Sequence, residues 1–421
     1  MKMKNIVIVT DLPFRKSGNQ SLMRFVKMFL KNDCKVTLFT TGKDSGGENT
    51  LSHPLFELHA LGASQRAVKK KNATNTNNSL LTDYNKIQSE DIIMPFTAKG
   101  YMTIFRRWAE FTYTLAKSVK LKGKLIKSFD SAFQQADCII GYEAGLSILA
   151  KNIATQYKKP FINKFQGTIL AATNRNSLIA KLYYPKLYWG INQSDLCLMV
   201  NDGTDGEYWA QHRGCTNIRF RPHGVSISDY PSSVEKAENK KFVIFNNASC
   251  SAWKRPDRIV RAMSHLPLEI REKVIFKTTY FGPDRESLIN FVKDKGLTDC
   301  VEFLDNFDHI DSNVALRTAD LVIMVNDMSN LGNPILESIF YNTPFITIND
   351  GSVSPFADKS EGGVYIDINK DFDINMAKSI SDIVTGKIDT ADIRNSLSNN
   401  DKVKTLEVEQ ADEFERISTM L

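Results

Sequence analysis

The sequence predicts an α/β protein of two domains, each built around a sheet of parallel strands, and three observations carry that prediction. The chain has 421 residues, long for one domain and ordinary for two. Short apolar runs bounded by turn residues recur along it with helical segments between them, the rhythm of parallel sheets. And one segment echoes another: Asp195-Leu196-Cys197-Leu198-Met199-Val200-Asn201-Asp202 returns as Asp320-Leu321-Val322-Ile323-Met324-Val325-Asn326-Asp327, each an Asp-Leu entry, a buried strand and a polar exit.

The first half opens on a strand at Asn5–Thr10, followed by a loop holding Gly18, a helix over Ser21–Lys31 and a strand at Lys35–Thr40. Two further strands end at polar tips, Ala136–Glu143 and Pro160–Thr168. A polar stretch without periodicity, Pro231–Lys240, marks a linker. The second half begins with a strand at Lys241–Asn246, the loop Asn247–Asp257 and a helix over Arg258–Met263. Strands at Val274–Lys277 and Val301–Leu304 flank a helix at Glu286–Asp294, and helices near Asn375–Thr385 and Lys404–Met420 close the chain. The expected domains are 1–230, with a polar and basic excursion at about 64–127, and 241–398, followed by a terminal helix in 399–421 that returns to the first domain.

Composition narrows the class. Hydrophobic content of 42% and charged content of 24% are those of an ordinary globular protein rather than a disordered one. No apolar run approaches the roughly 20 residues that span a bilayer, and the first residues enter a strand rather than a signal-peptide core. The six cysteines are scattered without metal-ligand spacing, so a reduced, cytoplasmic protein with no structural metal is expected.

The net charge of +6 is unevenly placed: residues 64–127 alone carry +9. The first part, Ser64 to about Gln88, is polar and Asn-rich and reads as a mobile excursion. Over 101–127, apolar residues at Tyr101, Phe105, Trp108, Leu115 and Val119 follow a helical spacing among Arg106, Arg107, Lys117, Lys120, Lys122, Lys124 and Lys127. This segment has three readings. It is the solvated face of a core helix, a peripheral contact with an anionic membrane at the inner face, or a nucleic-acid surface. The last lacks any accompanying recognition motif, and membrane contact is the reading favoured.

The most specific local signal follows the strand at Leu321–Val325. In Ser329-Asn330-Leu331-Gly332-Asn333-Pro334-Ile335-Leu336-Glu337-Ser338, Asn333 is expected as N-cap and Pro334 at the first helical position, where no backbone donor is needed. Gly332 removes side-chain bulk just before that terminus. Such a helix start, beyond the carboxyl end of a parallel strand, is a phosphate-binding geometry. Lys254 and Arg255 stand just before another helix, an unfavourable place for cations unless an anion sits there.

These segments resemble, in order along nearly the whole chain, family 4 glycosyltransferases, which have the GT-B fold of two Rossmann-like domains facing each other across a cleft. Asn330, Leu331, Gly332, Glu337 and Ser338 fall on the later positions of the family's donor motif, and Ser329 stands where its first Glu is expected. Lys254 falls on the family's loop Lys, and Ser249 replaces the loop Arg. Gly18 matches one glycine of the family's Gly-Gly loop. Gln166-Gly167 stands where His-Gly is usual, and His223 replaces the Asn of a turn at the domain junction.

The resemblance implies a retaining, metal-independent transferase. It would move a sugar from a UDP- or GDP-linked donor to a glycan or lipid-linked acceptor in cell-surface polysaccharide synthesis. It assigns donor binding to Gly18, Lys254, Arg255, Ser329, Leu331, Gly332, Asn333, Pro334 and Glu337, with Glu337 on the ribose hydroxyls. Acceptor or sugar contact falls to Asn19, Gln166 and Gly167. No cofactor, metal ligand or protein nucleophile is implied. Asp327 is a candidate stand-in for the missing carboxylate. Because Ser329, Ser249 and the lone Gly18 depart from the family pattern together, a catalytically degenerate GT-B protein acting as a binding module is the alternative. An enzyme rearranging the free nucleotide sugar, such as an epimerase, is a further rival.

Overall fold

The computed structural model describes residues 3–14, 20–42, 51–61, 82–94, 101–227, 231–234, 241–305 and 308–421. Gly18, Asn19, the excursion over 64–81 and most of the 231–240 linker lie outside them. The chain forms two compact units: one from 1–72, 96–223 and 408–421, the other from 73–95 and 224–407.

The first unit holds a seven-stranded parallel sheet: β1 (Asn5–Thr10), β2 (Lys35–Thr40), β3 (Phe56–Ala60), β4 (Cys138–Tyr142), β5 (Phe161–Phe165), β6 (Leu196–Val200) and β7 (Ile218–Arg221), in the order β3-β2-β1-β4-β5-β6-β7. The second holds six parallel strands: β8 (Phe242–Asn246), β9 (Val274–Thr279), β10 (Val301–Leu304), β11 (Leu321–Met324), β12 (Phe345–Ile348) and β13 (Gly363–Ile366), in the order β10-β9-β8-β11-β12-β13. The central strands are apolar along their length because helices cover both faces; β4, β5, β6, β11 and β12 are buried at every residue. In each sheet the strand order reverses once, between β1 and β4 and between β8 and β11. The crevice beyond the carboxyl ends at such a reversal is where open α/β sheets take ligands.

The basic segment forms a helix over Tyr101–Gln135, interrupted at Phe129. It buries Phe111, Leu121, Leu125 and Phe133, whereas Tyr101, Phe105 and Val119 of the apolar spacing point outward. Among the described residues no helix is long and apolar enough to cross a membrane.

The last helix, Leu406–Ser418, supplies carboxylates to the first unit. Glu413 pairs with buried Lys164, and Glu409 and Asp412 pair with Arg219, the latter at 2.6 Å. Those cations, with Arg24, face His223. Burial first and then these charges push its imidazole down to about 3, so it stays neutral.

Candidate functional site

In the second unit, the loops leaving β8 and β11 meet at the strand-order reversal. Asn246, the last residue of β8, is fully buried and donates through its amide to Ile323 O at 2.6 Å, tying the two strand ends together. The β8 loop then turns against Gly282, whose φ of +132° and lack of a Cβ let the chain pass Cys250 closely. Asp284 accepts from Ala252 N–H at 2.9 Å and holds the following 3₁₀ turn, Ala252–Lys254. Lys254 is half-buried, its ammonium 4.0 Å above the centre of the Trp253 ring. Asp327 N–H donates to Trp253 O at 3.0 Å, which brings the Lys254 turn against the loop carrying Ser329 to Pro334.

That second loop is held by asparagines. Asn330 is fully buried; its Oδ1 accepts from Asn326 N–H at 2.8 Å and its amide donates to Asp350 at 2.8 Å. Leu331 is buried beneath the loop, and its N–H donates to Ser329 Oγ at 3.3 Å. The helix spans Asn333–Phe340 with Gly332, not Asn333, as its N-cap, and Pro334 falls one place later than expected. The reason is a tight first turn: Ile335 and Leu336 both donate to Gly332 O, at 3.0 and 3.1 Å, and Gly332 N–H bonds to Asn330 O. This start therefore offers fewer unbonded N–H groups than a regular one. Glu337, on the first turns of this helix, is buried. A Cβ added to Gly332 would meet only Pro334 Cδ at 3.6 Å, so no protein neighbour requires glycine there.

Two candidates are placed elsewhere. Arg255 adopts a left-handed φ of +52° that turns its side chain inward to full burial, against Asp257 at 3.0 Å and Asp327 at 3.3 Å. Its guanidinium is spent on that network rather than presented beside Lys254. Asp327 likewise is committed to Arg258 at 2.7 Å and to Ile93 N–H at 2.7 Å, which removes it as a substitute for the missing donor carboxylate.

In the first unit, Gln166 and Gly167 follow β5 at the sheet's carboxyl edge. Gln166 donates its amide to Tyr142 Oη at 2.5 Å and its N–H to Glu143 at 2.7 Å, while its Oε1 is buried without a partner among the described residues. Gly167 has a φ of +114°, and a Cβ there would lie 2.0 Å from the Asp202 carboxylate. Gly145 in the same way gives room to Asp11.

Glu143 is the residue sequence reasoning passed over, although the polar strand tip after β4 had been noted. It sits at a φ of +63°, rare for a side chain of this size. Burial, more than the nearby Asp11 and Asp202, pushes its carboxyl up to about 7 despite the bond from Gln166 N–H and the charge of Lys164. The folded chain thus keeps this proton to about pH 7, whereas the unfolded chain releases it near 4.5. Stability should therefore fall as pH rises through that window. In Glu143→Gln this loss, of order 1–3 kcal/mol, should be absent when denaturation midpoints at pH 5 and pH 8 are compared. Equal pH slopes for the two proteins would refute the assignment.

The two folds and their loop chemistry define a class, two-domain α/β proteins of GT-B architecture, and comparison with known proteins makes this specific. Residues 228–403 match the family model described as glycosyl transferases group 1. Sucrose-phosphate synthase from Thermosynechococcus elongatus superposes with a TM-score of 0.65 at 13% identity, over 99% of both chains. Anabaena Alr3699/HepE in complex with UDP does so with a TM-score of 0.66 at 13% identity, over 99% of this chain and 100% of that one. WaaG, a glycosyltransferase involved in lipopolysaccharide biosynthesis, follows at 0.59 and 12% identity, over 96% and 98%. No curated protein sequence matches the chain. Together these similarities show the GT-B fold, with the match to the glycosyl transferase model confined to residues 228–403.

Proposed function

We propose that this protein is a retaining glycosyltransferase that takes a sugar from a uridine or guanosine diphosphate donor to a glycan or lipid-linked acceptor. The observation that carries the reading is the meeting of the Lys254 turn and the Gly332 helix start, through the Asp327 to Trp253 bond, beyond the β8–β11 reversal. In this reading Lys254 and the positive end of helix Asn333–Phe340 take the diphosphate and offset the charge it gains on leaving. Glu337 accepts from the ribose hydroxyls. Ser329, Leu331, Asn333 and Pro334 shape the wall, and Gly332 leaves space for the phosphate. Gln166 and Gly167 contact acceptor or sugar. That HepE is known in complex with UDP and with UDP-glucose supports a uridine donor.

Calorimetric titration with nucleoside diphosphates and nucleotide sugars, in the presence of a chelator, tests this. Binding of one nucleotide, weakened in Gly332→Ala with an unchanged melting temperature, is expected. Silence across the panel would favour the degenerate, binding-module reading, which the commitment of Asp327 to its arginines also supports.

The basic helix supports contact with an anionic membrane surface. Tyr101, Met102 and Phe105 are 89%, 80% and 72% exposed on one stripe, continued by the exposed Lys117, Lys120, Lys124 and Lys127. Leu178 of the adjoining helix is exposed as well. Apolar groups beside cations fit the interface of a bilayer. Co-sedimentation with vesicles containing phosphatidylglycerol should fall in Met102→Ser/Phe105→Ser, and vesicles of neutral lipid should bind weakly. Equal binding to both lipids would sink the idea.

A further inference from the structure

Residues 82–94 stand in the sequence between β3 and helix Tyr101–Gln135, both in the first unit, yet they pack as part of the second. Tyr84 is buried in the second unit's core beside Phe291. Beyond this anchor the segment is held mainly through its backbone. Arg261 donates to the carbonyls of Tyr84 and Ile87. Arg255 donates to Gln88 O at 2.8 Å and to Asp91 O. Arg258 donates to Ser89 O at 2.8 Å and to Asp91 O at 3.2 Å. In the other direction, Ile93 N–H donates to Asp327 at 2.7 Å. Ser89 Oγ bonds to Asp373, and the Asn85 amide to Asp294 at 3.0 Å.

The same arginines hold the two loops of the candidate site. Arg255 directly follows Lys254, and Arg258 donates to Val325 O at 2.9 Å, just after β11. Both pair with Asp327, two residues before Ser329. Within this cluster Asp257 and Asp327 pair with Arg255, Arg258 and Arg261, and the charge of Arg261 also acts on Asp373, yet several guanidinium N–H groups donate to no carboxylate. Carbonyls of the 84–91 stretch supply the remaining acceptors. Buried guanidinium groups stripped of them would be left underbonded and would turn toward other acceptors.

We propose that residues 88–93 are a positioning element of the donor site, fixing the Lys254 turn and the Ser329–Pro334 loop in one arrangement by hydrogen bonding to Arg255, Arg258 and Asp327. This rests on the reading of those loops as the nucleotide-sugar site. Of the candidate donor residues the segment bonds Arg255, which is turned into the buried network, and it acts through that network.

Two variants loosen the segment while leaving Lys254 and the Ser329–Pro334 loop unchanged. Ile93→Pro deletes only the N–H that Asp327 accepts, and Arg261→Met deletes the bonds to Tyr84 O and Ile87 O together with the ion pair to Asp257. Each is measured by hydrogen exchange and by calorimetric titration with uridine and guanosine diphosphates. Faster exchange is expected in 82–94 and also in both 250–258 and 326–337. Nucleotide affinity should drop at least about tenfold, the scale of a hydrogen bond to a charged group. Faster exchange confined to 82–94, with unchanged affinity, would overturn the proposal and leave the segment a mere cover. If the unmodified protein binds neither nucleotide, the donor reading fails on its own. The exchange pattern then still decides: a joint rise in all three segments upholds positioning, and a rise in 82–94 alone overturns it. Should Ile93→Pro fail to fold, Arg261→Met carries the test, with Arg261→Lys expected to restore the exchange pattern.

Discussion

Lys254→Ala is expected to lower sugar transfer by about a hundred- to a thousandfold, the cost of losing one preorganised charge-stabilising group, while the melting temperature moves by only a few degrees. The asymmetry comes from how Lys254 is held. Its fixed orientation over the Trp253 ring contributes on the order of 0.5–1 kcal/mol to folding, and the surrounding turn is secured by backbone bonds and Asp284 that survive the substitution. Lys254→Arg should recover part of the rate by restoring the charge. Glu337→Gln should instead weaken nucleotide binding, since a carboxylate accepting from ribose hydroxyls loses its charge and half its acceptors. Measured turnover and nucleotide affinity would separate the two roles. Transfer within threefold of normal in both variants would mean the donor site lies elsewhere.

Asp327→Ala should cost about 3–5 kcal/mol of stability, the penalty for leaving buried cations without their carboxylate. Arg255 and Arg258 are both 0% exposed and lean on Asp327 at 3.3 and 2.7 Å. Neither can reach water without opening the loops around it. Chemical denaturation followed through the second unit should show the loss. A change below about 1 kcal/mol would show that Asp257 and the neighbouring carbonyls suffice. Asp327→Asn should fall between, because it keeps an acceptor for Ile93 N–H while losing the charge.

Much of the architecture was legible in the sequence, and the reason is physical. β1, β4, β6, β8 and β11 are buried strands whose apolar runs have to be continuous, so they announce themselves. The edge strand β3, with the sequence Phe56-Glu57-Leu58-His59-Ala60, is half-covered and mixed in composition, and no strand is read there from sequence. β7 and β13, four residues each at the opposite edges, were hidden for the same reason. At the candidate site, sequence reasoning found the loops but not how their side chains divide the work. Lys254 and Arg255 look equivalent as adjacent cations, and only the left-handed backbone at Arg255 separates them, turning one inward. The role of 82–94 was invisible because its partners read carbonyl oxygens, which every residue has. Glu143 was missed because a strand-end carboxylate looks the same whether it meets water or, as here, a neighbour's backbone and two other acids.

The threading of the chain has a consequence for biosynthesis. The second unit needs residues 82–94, which leave the ribosome well before it, and the first needs Glu409 and Glu413, which leave after the whole of the second. Until the final helix is made, Lys164 and Arg219 lack the carboxylates that compensate them, and the nascent first unit carries two uncompensated cations in its interior. The second unit can therefore be completed before the first, which begins earlier but waits for the helix that follows the second. A chain stopped at residue 407 would retain every strand of both sheets and still be a substrate for chaperones and proteases rather than a finished protein.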